Sequence, residues 1–189
     1  ISGNISFRDV HFAYNDNDYV LHGISFDAYS GEKIALVGAT GSRKTSVINV
    51  LSRFYEYNSG AIYLDGKKLE SYSLNSLHRS VSVVLQDVFL FSDTIMNNIT
   101  LFNDQITEEE VIEASKQIGT HEFISRLPGA YHFHVSERGG LLSAGQKQLV
   151  SFLRAYVHKP KVLILDEVTS SVDTESELLI QKATEVITE

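Results

Sequence analysis

The chain has 189 residues, of which 43% are hydrophobic and 21% charged, with a formal net charge of −8 and no cysteine. That length suits one domain with a substantial core, or a domain carrying a subdomain. The acidic balance, without any basic stripe, argues against nucleic acid as a partner, and the missing cysteines exclude disulfides and thiolate metal sites.

The longest apolar runs, such as Val162-Leu163-Ile164-Leu165, fall far short of the ~20 residues that span a bilayer. Ile1-Ser2-Gly3-Asn4 opens in polar, strand-like sequence rather than a signal pattern. If the protein works at a membrane, another segment or another chain supplies the anchor.

In chain order, Ile5, Phe7, Val10, Phe12 and Tyr14 alternate with polar residues and read as strand, closed by the turn cluster Asn15-Asp16-Asn17-Asp18. A second strand runs from about Val20 to Ala28, and a buried strand is expected over Lys33 to Val37. Val47, Val50, Leu51 and Phe54 then repeat at helical spacing. Ala61 to Leu64 forms a short arm turned by Asp65-Gly66, and Val81 to Leu85 is a strand that delivers Gln86 at its end.

Beyond Asp87 the texture is helical to about Val157. Thr107 and Glu110 form a capping box ahead of Val111, Ala114 and Ile118. His121 to Leu127 is a short helix stopped by Pro128-Gly129. Ser143 to Val157 is a long helix with Leu149, Phe152, Leu153 and Tyr156 on its buried side. A buried strand over Lys161 to Leu165 ends on Asp166-Glu167, and a last helix starts near Thr174 with Glu177 in its cap, then runs through Leu178, Ile180 and Val186. The fold class is α/β, with a helical insertion between two halves of a core.

Chemistry concentrates at Gly38-Ala39-Thr40-Gly41-Ser42-Arg43-Lys44-Thr45-Ser46. A strand, a glycine-containing turn and a helix are what a phosphate-binding loop requires. Backbone N–H groups close around an anion, and the helix N-terminus adds a favourable dipole. Lys44 suits the outer phosphates and the Thr45 hydroxyl a magnesium ion. The strict pattern wants glycine where Arg43 stands.

Asp166 and Glu167 emerge from an apolar strand, where the ligand crevice of an open α/β sheet lies. Asp166 suits magnesium and Glu167 suits a general base for water. A solvated acidic turn is the bland alternative, and it recedes beside a phosphate loop. Leu142-Ser143-Ala144-Gly145-Gln146 opens the long helix, with Ser143 a good cap and small neighbours that leave N–H groups open to an anion; on these five residues alone, ordinary capping with a tolerated glycine is the better account. Gln86 alone reads as a surface glutamine and Tyr14 as a half-exposed aromatic. The seven histidines show no metal-ligand spacing. Among them His132 and His134 alternate as on a strand and read as surface.

Taken together and in order, these features resemble the nucleotide-binding domain of an ABC transporter of the exporter type. Gly38 to Ser46 is similar to Walker A, and Val162 to Glu167 to Walker B with its catalytic glutamate. Leu142 to Gln146 is similar to the signature motif, with Ala144 for the usual glycine. Ser170-Ser171-Val172-Asp173 resembles the D-loop, Gln86 the Q-loop glutamine and Tyr14 the aromatic that stacks on adenine. Ser136-Glu137-Arg138-Gly139 resembles the exporter segment before the signature.

The resemblance implies a P-loop NTPase (RecA-like) core with an N-terminal antiparallel β subdomain and an inserted α-helical subdomain, 1–86 with 158–189 for the core and 87–157 for the helices and signature. It implies ATP and Mg2+ as ligands, ATP hydrolysis driving export, and head-to-tail pairing of two such domains. Ser143 and Gly145, with Ala144 and Gln146, would then meet ATP held by the partner, helped by Ser171 and Asp173. Thr45, Gln86 and Asp166 would surround magnesium. A transmembrane domain would be contacted through Gln86 to Ile99 and the residues near Glu137, which locates the chain at the cytoplasmic face of a membrane.

Two departures stand out. The family's switch histidine lies on a strand beyond the last helix, so the resemblance implies a C-terminally truncated domain and none of the seven histidines takes that role. Arg43 puts a Cβ where phosphate presses on backbone, with an expected strain of ~1–3 kcal/mol before any clash with ligand. The guanidinium's charge offsets part of this loss where it folds toward phosphate. The alternative reading is thus an ATP-binding-impaired or non-hydrolytic regulatory half of a heterodimeric transporter.

Overall fold

In a computed structural model of the chain, residues 1–15, 18–37, 43–136, 140–166 and 174–188 are described. They divide between two units, Ile1–Ser82 and Val83–Glu189.

In the first unit, strands β1 (Ile5–Ala13) and β2 (Tyr19–Ala28) pair antiparallel, as do β1 and β3 (Ser59–Leu64), and β3 and β4 (Lys67–Lys68). The sheet order is β2-β1-β3-β4. Along β1 the period-two alternation buries Ile5 and Phe7, then Val10 and Phe12.

The change of phase between Phe7 and Val10 is a bulge at Asp9, whose φ is 48°. Gly60 answers it from β3: its φ is 91°, and a Cβ there would lie 2.3 Å from the Asp9 carbonyl oxygen. Only glycine lets the two backbones approach this closely. Asp65 and Gly66 both take left-handed φ values, 49° and 75°, the conformation that closes a two-residue hairpin between β3 and β4.

Helix α1 (Lys44–Leu51) buries Val47, Ile48, Val50 and Leu51, and α2 (Leu74–Ser80) is capped by Ser73, whose hydroxyl accepts from Ser76 N.

The second unit is built around α6 (Ala144–Val157). Buried Leu149, Val150, Phe152 and Leu153 share one core with Ile95 and Ile99 of α3 (Ile95–Thr100), Val111 and Ile118 of α4 (Glu108–Ile118), and Ile180 and Ala183 of α7 (Thr174–Thr188). Each such side chain removed from water contributes roughly 1.5–3 kcal/mol. The short helix α5 (His121–Ser125) precedes Gly129, whose φ of 84° turns the chain. Strand β5 (Val81–Val84) pairs with β6 (Val162–Leu165). The Thr107–Glu110 capping box forms as expected: Thr107 Oγ1 accepts from Glu110 N and Glu110 accepts from Thr107 N.

Three expectations are corrected. Residues 33–37 are not a buried strand: among the described residues no strand pairs with them, and Val37 is 89% exposed. An apolar run becomes a strand only where a neighbour offers a hydrogen-bond ladder. Strand β6 does find its ladder with β5, but it is half-buried along its length rather than buried. His132 closes a single 3-10 turn and His134 makes one isolated bridge to Thr94, so they share no strand, although both are exposed as expected. On α7, Leu178 is exposed while Leu179 packs on the core; on α6, Tyr156 packs against the core as expected, half-buried, and gives its hydroxyl to Gln117.

Candidate active site

Each unit carries its own part of the predicted site. In the first, Arg43 is the N-cap of α1, with φ −66° and ψ 12°, and its carbonyl oxygen accepts from Ser46 N and Val47 N. Any L residue adopts that backbone, so the strain expected at Arg43 is absent. Lys44 opens the helix half-buried, Thr45 follows exposed and Ser46 is buried. No acidic residue stands in the first turn and no side chain caps it. The positive end of the helix dipole therefore meets two cations and no carboxylate of its own.

Tyr14 is held against that turn. Asn49 Nδ2 donates to its hydroxyl at 2.8 Å, which leaves the phenolic proton for Ser46 Oγ at 3.1 Å. Its ring is packed edge-on by Phe12 and Tyr55, with centroids at 4.7 and 5.0 Å, yet remains 43% exposed. An aromatic surface is thus fixed one helical turn from Lys44.

In the second unit, Asp166 N donates to Val84 O at 2.9 Å, which sets Asp166 beside the end of the strand leading to Gln86. Ser143 caps α6 in a reciprocal box: its hydroxyl oxygen accepts from Gln146 N at 3.1 Å, and Gln146 Oε1 accepts from Ser143 N at 3.0 Å. The hydroxyl proton stays available at an exposed position, next to exposed Ala144 and buried Gly145. Gly38 to Ser42, Glu167, Ser171 and Asp173, and the segment 137–139, lie outside the described residues.

Several residues that sequence reasoning passed over hold this part together. Gln148, buried on α6, donates to Leu85 O at 3.4 Å, the residue before Gln86. Arg154 donates from Nε to Asn98 O at 2.7 Å and from Nη2 to Phe89 O at 3.3 Å; burial pushes its pKa down. His158 Nε2 lies 3.2 Å from Ile99 O, and burial first, then contact with the Arg154 charge, lowers its pKa. Both side chains thus meet the carbonyl, negative end of α3. Buried Asn98 clamps Phe91 through N–H and C=O, at 2.8 and 3.0 Å. The signal was present in the sequence: Gln148 and Arg154 are polar residues near the apolar stripe of an amphipathic helix, where each needs a partner.

The ABC transporter family pattern matches residues 21–170. The chain belongs to the ABC transporter family. Within it the chain is an ATP-binding domain of the ATPase class, with the P-loop NTPase fold.

Over 183 residues the chain is 49% identical to YknV of Bacillus subtilis (strain 168), an ABC transporter ATP-binding protein. Over 185 residues it is 45% identical to YheH of the same organism, described as a probable multidrug resistance ABC transporter ATP-binding/permease protein. These matches take in 97% and 98% of this chain but 30% and 28% of those proteins, so the chain spans under a third of their length. The structure of a bacterial Atm1-family ABC exporter with ATP bound superposes with a TM-score of 0.90 at 36% identity, covering all of this chain and 33% of that one.

The described donors suit the family's ligands. Thr45, Gln86 and Asp166 offer oxygen only, the chemistry magnesium takes, and the uncapped, acid-free start of α1 suits phosphate.

Proposed function

We propose that this domain binds and hydrolyses ATP to drive export of a substrate across a membrane. The observation that carries the reading is the first turn of α1. Lys44, an acid-free helix N-terminus and the clamped Tyr14 ring bring a phosphate-binding charge and a base-stacking surface together. Lys44 and the loop Gly38 to Ser42 hold the phosphates, and Tyr14 stacks on the adenine. Thr45, Gln86 and Asp166 would hold magnesium, which when bound offsets the charge that develops on the transferred phosphoryl group. Glu167 orients the attacking water and takes up its proton.

Head-to-tail pairing with a second such domain completes each site. The outward Ser143 hydroxyl and the Gly145 N–H then reach the γ-phosphate held by the partner, and Ser171 and Asp173 line the junction. None of the described helices is long and apolar enough to cross a membrane. On the exporter reading this domain lies at the cytoplasmic face, and its second partner is a transmembrane domain. It docks on the exposed pair Phe89 and Phe91, which meet edge-to-face at 5.1 Å. The working division is 1–86 with 158–189 for the core and 87–157 for the helices.

Titration with Mg-ATP and phosphate release on the full chain test the assignment. Lys44→Ala should abolish binding, whereas Glu167→Gln should keep binding and lower hydrolysis at least ~100-fold. Undiminished hydrolysis in either variant would sink it.

A further inference from the structure

Tyr14 is the stacking surface of the proposed function, and its hold on α1 runs through a residue to which that function gives no role. Asn49 reaches the Tyr14 ring by two routes. Its side-chain Nδ2 donates to the Tyr14 hydroxyl at 2.8 Å. Its carbonyl oxygen accepts from Phe54 N at 2.9 Å and Tyr55 N at 3.4 Å, just past Arg53, whose left-handed φ of 52° turns the chain at the end of α1. Tyr55, so placed, meets the Tyr14 ring edge-on with centroids 5.0 Å apart. Buried Phe12 packs against both rings, at 4.7 Å from Tyr14 and 5.8 Å from Tyr55. The Tyr14 hydroxyl also lies 3.1 Å from Oγ of buried Ser46, which stands one turn before Asn49 on the same face of α1.

We infer that Asn49 is the positioning residue of the base-stacking surface. It fixes the Tyr14 ring relative to the first turn of α1, so that one helix sets both where phosphate is held and where the base stacks. The inference rests on the nucleotide-binding reading above. A ring that the ligand must first immobilise returns less affinity, because the cost of ordering that side chain is subtracted from binding. Asn49 orders the ring before nucleotide arrives. It acts only through Tyr14, so its effect disappears when the ring is removed.

The experiment measures the dissociation constant of Mg-ATP by calorimetry on the full chain. Five proteins are compared: the natural chain, Asn49→Leu, Tyr14→Phe, Tyr14→Ala and the double variant Asn49→Leu/Tyr14→Ala. Leucine keeps the size of the side chain, removes its donor and leaves the backbone bonds to Phe54 and Tyr55 in place. Asn49→Leu and Tyr14→Phe should each weaken ATP binding about 2–10-fold, the worth of one hydrogen bond. Tyr14→Ala, which removes the ring itself, should weaken it roughly 5–100-fold. In the Tyr14→Ala background, Asn49→Leu should make no further difference.

A loss of the same factor with and without the Tyr14 ring marks Asn49 as merely structural and overturns the inference, as does natural affinity in Asn49→Leu. If Asn49→Leu does not fold, Tyr14→Phe carries the test, because it removes the partner of the Asn49 amide and leaves α1 untouched; undiminished binding there also overturns the inference. Natural affinity in Tyr14→Ala overturns the assignment of Tyr14 to the base, and this inference with it, while ATP binding stands. Failure of the natural chain to bind ATP overturns the nucleotide reading itself.

Discussion

Ser143 has two separable jobs, and substitutions can part them. Its hydroxyl oxygen accepts from Gln146 N at 3.1 Å and so caps α6, while on the proposed pairing its proton is given to a phosphate. Ser143→Ala removes both, costing about 1 kcal/mol of stability as a lost cap, or roughly 2–4 °C in melting temperature for a chain of this size. It also removes a hydrogen bond to a charged group, worth ~1.5–3 kcal/mol, which is a ~10–100-fold loss in hydrolysis. Ser143→Asp keeps an oxygen acceptor for Gln146 N and gains from the helix dipole, so its melting temperature should match or exceed that of the natural chain. Its carboxylate would nevertheless face the partner's γ-phosphate and abolish hydrolysis. Ser143→Thr should retain both properties. Paired melting curves and phosphate-release rates on the three variants decide the matter. If Ser143→Asp melts as low as Ser143→Ala, the capping argument fails; if it hydrolyses ATP normally, the phosphate role fails.

Arg154→Met strips the donor from Asn98 O and Phe89 O, and should destabilise by about 1–3 kcal/mol, with faster amide exchange at Phe91; an unchanged urea midpoint would contradict this. Arg154→Lys, with one ammonium in place of the fork, should recover only part of the loss. His158 predicts a pH dependence. Its folded pKa is lowered, so as pH drops below about 6.5 the unfolded chain takes up a proton that the folded one resists. Its contribution is therefore fully present above that pH and is lost as the pH falls toward the folded value. Urea midpoints between pH 7.5 and 5 should decline less steeply in His158→Asn, and equal slopes would refute the assignment.

Much of this was legible because local chemistry and global structure agree. The Thr107–Glu110 capping box, the Ser143 cap, the Asp65-Gly66 hairpin and the apolar stripe of α6 are written in short patterns that need no distant partner. Where the reading failed, the determinant was distant. Ile34 to Val37 has the composition of a buried strand, but strand character depends on a ladder that composition cannot reveal. The bulge at Asp9, matched by Gly60 on another strand, likewise depends on a contact some fifty residues away. In the candidate site, Lys44, Thr45, Ser143 and Asp166 could be named from motif spacing. The hydrogen bonds that seat Tyr14 on Ser46 and Asn49 could not, because nothing local to Tyr14 points to α1.

The arrangement of α6 gives those motif residues a mechanical context. At 14 residues it is a rod of roughly 20 Å. It begins at the Ser143 hydroxyl, and it is bonded along its length to Leu85 through Gln148 and to Phe89 and Asn98 through Arg154. Asn98 in turn holds Phe91 by two hydrogen bonds. A packed helix moves as a unit because its buried face tolerates little sliding. On the proposed pairing, a displacement of Ser143 toward a partner's phosphate would be passed through these bonds to the segment from Leu85 to Phe91, including Gln86 and the exposed aromatic pair. The polar residues near the apolar stripe of α6 add directed hydrogen bonds to a link that Leu90 and Val88 already make by packing on the same core.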